Sequence, residues 1–328
     1  MSITILFSLV AAFAAAAFAI DLGRIFLARY ELQNAADAAA LAGAGSLLPG
    51  SPNPNWSLAQ AKAASAISLN SSDGIQLTTA SAQSGFWNLA GSPAGMQAST
   101  ISPGTYDTPA VKVTVSRAAG LNGGPVSFFF APLFSISNGS VTATAVAVVS
   151  APGYIAPGGA FPMAIGQCIY GQYWNAQTGA PTIDPSTGQA YEVQIGNGAS
   201  YNGCEAGQWT SFLTDANDVP TVRGLMQTGN PTALSIGDSI WIQPGVKATL
   251  YHSVPTKIDV LVPVVAQVTT GNAAIVGFAA FHIDPPDPAD KNPKYIQGHF
   301  ITGYEITTGG AAQAGPYYGA YVPPRLAQ

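Results

Sequence analysis

Three histidines, His252, His282 and His299, are the residues of this 328-residue chain best suited to move a proton or ligate a metal, because imidazole titrates near neutrality and can bind through either nitrogen. Their spacing supports neither role. They stand isolated in the sequence, without an H-E-x-x-H pair and without a cysteine partner. His282 lies in Phe278-Ala-Ala-Phe-His-Ile-Asp, where strand alternation sets it opposite Phe281 as a satisfied strand histidine rather than a ligand or base. No G-x-S-x-G elbow supplies a nucleophile.

The acidic residues are no more productive. Asp184-Pro-Ser-Thr-Gly opens like the Asp-x-Ser-x-Ser metal motif of von Willebrand A domains, but Gly188 stands where the second serine belongs. Asp, Pro, Ser and Gly in this order read as a turn. Asp284, Asp287 and Asp290 are three apart, whereas an EF-hand places carboxylates two apart around a glycine. A rigid polar turn is expected there, with Ca²⁺ binding as the lesser alternative. Ile195-Gly-Asn-Gly is followed by no helix, so it cannot cradle a phosphate at a helix N-terminus. The expectation is a protein without catalytic, cofactor-binding or metal-binding residues, and not an enzyme.

Cys168 and Cys204 complete the reactive inventory. In an oxidising compartment they would pair and close a loop of about 36 residues, worth roughly 3–4 kcal/mol in the chain-entropy view. The alternative is two buried free thiols. Two ligands are too few for a metal site, and the absence of C-x-x-C excludes the usual redox motif.

Composition narrows the class further. Charged residues make up 8% of the chain, against about 25% in ordinary soluble domains, so the surface must be covered by uncharged polar side chains. The net charge is -5, and the 11 Lys and Arg form no stripe. Nucleic acid is therefore not an expected partner. With 36 Gly, 25 Pro and apolar strands throughout, a folded, turn-rich β structure is expected rather than disorder.

The elements that must carry these residues begin with a long helix. Residues 3–20 contain no charge, Pro or Gly, a run of about 18 residues that just reaches the length of a hydrocarbon core. Helix formers continue from Asp21 to Leu41, and Gly43, Gly45 and Pro49 end the pattern. A helix of about 45 residues is roughly 70 Å long, so half of it must stand clear of a bilayer. Residues 1–48 are therefore expected as a membrane-spanning helix with an extramembrane extension. Ala17-Phe18-Ala19 has the small-x-small shape of a signal-peptidase site, but no basic residue precedes the apolar run, which favours an uncleaved anchor. Arg24 and Arg29 follow the run, and by the positive-inside rule alone they would place the bulk in the cytoplasm. The cysteine pair and low charge point outward, and a basic stretch upstream of Met1 would reconcile the two.

Past a Pro/Gly/Ser linker at 49–54, residues 49–150 read as a proximal α+β domain. A helix capped by Ser57 runs to about Leu69, followed by strands over 75–80, 85–89, 111–117 and 141–149. The Phe-rich segment 126–134 is expected to pack as core against that sheet, with a membrane-surface contact as the minor reading. Residues 151–308 read as a β-rich distal domain, with strands over 161–165, 191–195, 239–243, 258–268, 275–283 and 298–307, and a short helix over 220–228. Pro263 suggests that its strand is an edge or carries a bulge. Residues 309–328 are expected as a flexible tail. The fold class is α+β.

The stretch Asp21-Leu-Gly-Arg through Leu32-Gln-Asn-Ala-Ala-Asp-Ala-Ala-Ala-Leu-Ala strongly resembles the N-terminal segment of TadE/TadG-like proteins of the tight-adherence (Flp) pilus assembly system. The Val-x-Val-x-Val strand, the Phe-rich segment and Val141-Thr-Ala-Thr-Ala-Val-Ala-Val are similar to that family's first outer domain. Ile236-Gly-Asp-Ser-Ile-Trp-Ile-Gln-Pro-Gly and Val276-Gly-Phe-Ala-Ala-Phe-His-Ile are similar to C-terminal regions of its TadG-related members. The resemblance implies a single-pass bacterial inner-membrane protein with its bulk in the periplasm or at the cell surface, acting as a minor pilin-like or accessory component among other pilus assembly proteins. The von Willebrand A domain of longer relatives and the prepilin processing signature are missing from this sequence.

On the helix itself, Leu22, Ile25, Phe26, Tyr30 and Leu32 form an apolar stripe, and Ala35 and Ala39 allow close approach of a partner helix. A rival reading is a secreted carbohydrate-binding or hydrolytic protein with a cleaved signal peptide, in which Tyr170, Tyr173 and Trp174 would form an exposed sugar platform.

Overall fold

The computed structural model describes residues 3–48, 53–104, 106–175, 178–196, 198–245, 247–290, 292–306 and 315–327. Most of the expected linker, 49–52, and the first part of the expected tail, 309–314, lie outside them.

Strong helix formers on both sides of Asp21 produce one unbroken helix, α1 (Ile3–Ala44), of 42 residues. Its two halves differ in surroundings. Val10, Phe13, Phe18 and Ile20 are exposed, whereas Ala28, Leu32, Ala35, Ala36, Ala39, Ala40 and Ala44 are fully buried. Gly43 does not stop the helix. A Cβ there would lie 2.9 Å from both the Ala59 carbonyl oxygen and Ala63 Cβ, so this glycine lets α2 (Trp56–Ile67) cross at close range. The cap of α2 is Asn55 rather than Ser57, since its side chain accepts the Leu58 N–H at 3.0 Å.

Both helices cover one face of a sheet built on β1 (Ser81–Asn88), β2 (Asp107–Arg117) and β3 (Val141–Ser150). β2 and β3 pair antiparallel from Ala110↔Val148 to Arg117↔Val141. Their alternation turns Val111, Val113, Val115, Ala143, Ala145 and Ala147 toward the helices. The opposite face carries the cross-strand hydroxyl pairs Thr114–Thr144 at 3.0 Å and Ser116–Thr142 at 2.8 Å. The strand expected over 75–80 is only the two-residue Ile75–Gln76. The chain that follows is held instead by Asn122, whose Oδ1 accepts from Thr78 N–H (2.8 Å) and Thr79 N–H (3.0 Å).

The distal part contributes β4 (Met163–Gly166), α3 (Gln167–Tyr173), β5 (Val193–Ile195), β6 (Gly207–Trp209), α4 (Val219–Thr228), β7 (Ser239–Ile242), α5 (Ala248–Tyr251), β8 (Ile258–Val265), β9 (Gly271–Ile283) and β10 (Ile296–Phe300). The sheet order is β5-β10-β9-β8-β4-β6, with β7 also paired to β9. Backbone bonds from Trp241 N–H to Phe212 O (2.7 Å) and from Gln243 N–H to Trp209 O (2.9 Å) carry the pairing from the end of β6 to β7. The strands β9-β8-β4-β6-β7 thus close on themselves, while β5 stays at the end of the order, paired only with β10. Phe212, Ile240, Leu261, Phe278 and Ile275 fill one side of this layer, and Trp209, Val262, Phe281 and Phe300 the other. β8 is an interior strand despite Pro263, and a bulge follows the proline between Val264 and Val265.

The expected flexible tail needs correction. Residues Ala320–Leu326 form β11, which pairs antiparallel with β3, and Tyr304–Glu305 pairs parallel to it. The open edge of β3 had to be covered, and a shift in register between Val322 and Arg325 accommodates Pro323 and Pro324, which cannot donate to a ladder. The chain therefore leaves the proximal sheet at Ser150, builds the distal part, and returns to complete the proximal sheet. Ala320 and Val322 belong to the distal cluster with Phe278 and Ile275, while Tyr321 packs against the proximal core, so β11 joins the two.

Candidate functional site

Among the described residues, α1 is the one helix long and apolar enough to cross a membrane. Where its apolar run ends, the helix grips the proximal domain. Asp21, almost wholly buried, accepts the backbone N–H groups of Phe129 (2.7 Å), Phe130 (2.9 Å) and Ala131 (2.7 Å). One turn further on, Arg24 donates to both carboxylate oxygens of Asp73, at 3.0 and 2.8 Å, with its guanidinium carbon 4.5 Å from the centre of the Phe129 ring. Glu31 accepts the Asp73 N–H at 2.6 Å, and Ser72 donates to the Ala28 carbonyl at 3.2 Å. These contacts join two loops, from residues 72–73 and 129–131, to successive turns of the helix. The Asp21 and Arg24 side chains therefore serve the junction between helix and domain, a role that sequence spacing did not reveal.

The structure divides the expected partner-helix surface. Leu22, Phe26 and Tyr30 are exposed, Phe26 at 59% and Tyr30 at 66%, and lie one turn apart on the side away from the sheet. Ile25 is half-buried and packs against the proximal core. Leu32, Ala35 and Ala39 are fully buried among the chain's own residues, which corrects their assignment to an external partner. Apolar residues occupy nearly every side of α1, so sequence periodicity could not tell which side the domain would claim.

The Phe-rich segment also differs from its expected place in the core. Val126 is buried in the proximal core, but the segment closes on itself through the pair Val126–Ser127 and Asn138–Gly139, Phe129, Leu133, Phe134 and Ile136 are exposed, and it makes the 3₁₀ turn Ala131–Phe134 beside α1. Between this segment and the helix lies an apolar cleft of about 370 Å³, lined among others by Phe18, Leu22, Phe130 and Phe134.

In the distal part, Cys168 and Cys204 form a disulfide that ties α3 to the hairpin at 200–205, with Cα atoms 6.0 Å apart. His282 and His299 are not isolated. They are direct cross-strand partners on β9 and β10, with ring centres 5.1 Å apart. Asp259 lies 2.5 Å from His282 Nδ1, and Asp284 lies 2.7 Å from His299 Nδ1. Spacings of 17 and 23 residues hid this row, because only strand pairing brings it together. No group of three or more His, Cys, Asp or Glu among the described residues is arranged to hold a metal ion. His252 stands apart, within 2.9 Å of Asn292. Asp184 accepts from Ser186 N–H and Oγ at 2.8 and 2.7 Å, making the expected turn. Asp287 and Asp290 close turns of their own by accepting from Ala289 N–H and Asn292 N–H. Tyr170 and Trp174 are buried in the distal core and Tyr173 is half-buried, so they form no exposed sugar platform.

Comparison with known families matches residues 1–46 to a Flp pilus-assembly TadE/G-like family and residues 42–147 to a Tad-like Flp pilus-assembly family. Over residues 1–147 the chain is similar to these pilus-assembly families. The two matches meet at residues 42–46, where α1 ends beneath the proximal sheet. Comparison with curated proteins and with solved structures finds no match. The Tad-like region thus covers α1, α2 and the sheet up to β3, together with the junction at Asp21 and Arg24.

Proposed function

We propose that this chain is a non-catalytic, membrane-anchored component of Flp/Tad-type pilus assembly, a minor pilin-like or accessory protein supporting surface adhesion. In this reading it spans a bacterial inner membrane once, through α1, and carries its bulk in the periplasm or at the cell surface. The observation that carries the proposal is that one continuous helix is an exposed apolar rod over its first turns and the core of a Tad-like domain over its last. Such a helix transmits the position of the membrane rigidly to the outer domain. The disulfide between Cys168 and Cys204 supports an oxidising compartment for the bulk of the chain.

The partner surface is the row Leu22, Phe26 and Tyr30, exposed just beyond the apolar run. Replacing all three by Ser should abolish co-purification with other Tad assembly proteins from detergent-solubilised membranes, while the amide-exchange pattern of the proximal sheet stays as in the parent protein. Undiminished co-purification would remove this row as the contact. Recovery of the parent protein in the soluble fraction would remove the anchor.

A further inference from the structure

We propose that the Phe-rich segment 128–136, held on Asp21, is a membrane-interface collar: its exposed apolar side chains enter the lipid beside α1 and set the depth of the helix and the stand-off of the proximal domain. The proposal rests on the reading of α1 as a membrane anchor and adds a second, non-helical contact with the same bilayer.

Depth comes first. The run of about 18 residues before Asp21 rises about 27 Å at about 1.5 Å per residue, close to the roughly 30 Å of a hydrocarbon core. Asp21 therefore lies where acyl chains give way to headgroups. Phe129, Phe130 and Ala131 are hydrogen-bonded to its carboxylate through their backbones, so the segment must lie at the same level.

Composition and exposure agree with that level. Residues 126–141 contain no charged side chain, and Phe129, Leu133, Phe134 and Ile136 are 65%, 82%, 72% and 55% exposed. A contiguous apolar surface of this kind, continuous with an exposed apolar helix, needs cover other than water. Aromatic rings are favoured at membrane interfaces.

The backbone is also prepared for a medium poor in water, where unpaired polar groups are costly. Phe129, Phe130 and Ala131 donate to Asp21, while Phe128 donates to Ser137 O, Leu133 to Phe130 O, Ser135 to Pro132 O and Ile136 to Ala131 O. Pro132 has no N–H to satisfy. Seven of the eight N–H groups of 128–136 thus have a partner within the protein, more than a loop in water requires. The cleft of about 370 Å³ between segment and helix is apolar on both walls, a shape that suits an acyl chain.

Because Cys168 and Cys204 are paired, one added cysteine can carry a spin label. Phe13→Cys, Leu133→Cys and Ala61→Cys, the last on the exposed face of α2, would be labelled in the full chain and reconstituted in phosphatidylethanolamine/phosphatidylglycerol vesicles. Collision rates with oxygen and with a water-soluble nickel chelate then report each environment. Labels at positions 13 and 133 should both favour oxygen severalfold over the label at position 61, with position 133 the shallower of the two. A lipid-like signal at position 13 with a water-like signal at position 133 overturns the collar and leaves the anchor standing. A water-like signal at position 13 overturns the anchor, and the collar with it. A position-133 label shielded from both probes shows that protein covers the segment, and this also overturns the collar.

Discussion

The proximal sheet buries its inner face against Ala28, Ala35, Ala36, Ala39 and Ala40 of α1, whereas the distal layer is filled by Phe212, Phe278, Phe281, Phe300 and Trp209. An alanine buries little apolar area, at roughly 25 cal/mol per Å², but it lets a helix axis approach a sheet closely. The proximal unit therefore gains its stability from the length of a close contact, and that contact is supplied by the continuation of the apolar rod. The distal unit gains its own from a few large side chains, a closed run of strands and a disulfide. The contrast shows one region built as an extension of its anchor and another with a largely self-contained core, joined by β11. The Tad-like match covers the first region and not the second.

Three experiments bear on this contrast. The largest effect is expected from Cys168→Ser with Cys204→Ser. Opening that loop should cost the distal part roughly 3–4 kcal/mol, read as faster amide exchange over 163–300 while 107–117 and 141–149 keep their protection. Equal loss in both regions would show that they unfold as one unit.

A smaller and opposite effect is expected from Ala39→Leu. The site is fully buried beneath the sheet, so the added bulk should destabilise the proximal part by about 1–3 kcal/mol. Amide exchange should quicken in β2 and β3 but not in β8 and β9. An unchanged proximal sheet would refute the close contact of α1 with the sheet at this position.

The smallest effect is a pH dependence of the proximal edge. The Asp107 carboxyl is held below the usual carboxylate range by the backbone N–H of Gly104, against the opposing effect of burial, and further by Asn88 and Gln97. A lowered folded pKa means that the contribution is complete above the unfolded value of about 3.9 and is lost as pH falls through the folded value. Asp107→Asn should therefore lower stability at neutral pH and flatten the decline of β1–β2 protection between pH 5 and pH 2. A variant whose acid profile matches the parent would refute the assignment.

Much of the architecture was legible in the chain. The long helix, the Val-x-Val strand at 111–117, the helix near 220–228, the disulfide and the Tad-like character of the N-terminal region all rest on local pattern or composition, and the structure and the family comparison bear them out. Elements that depend on distant partners were not legible. Residues 320–326 look like a low-complexity tail until the edge of β3 is there to receive them. The Phe-rich segment looks like core until Asp21 is seen to hold its backbone outside the sheet. His282 and His299 look isolated until β9 and β10 align them.

The amino-acid sequence by itself determined that a long apolar rod would form, continue past any bilayer and lead into α+β structure, because helix propensity and hydrophobic length act along the chain and need no distant partner. Which side of that rod became core was decided by the tertiary structure alone. Residues on nearly every side of α1 are apolar or small, so the choice fell to the sheet that covers Leu32, Ala35 and Ala39 and leaves Leu22, Phe26 and Tyr30 outside.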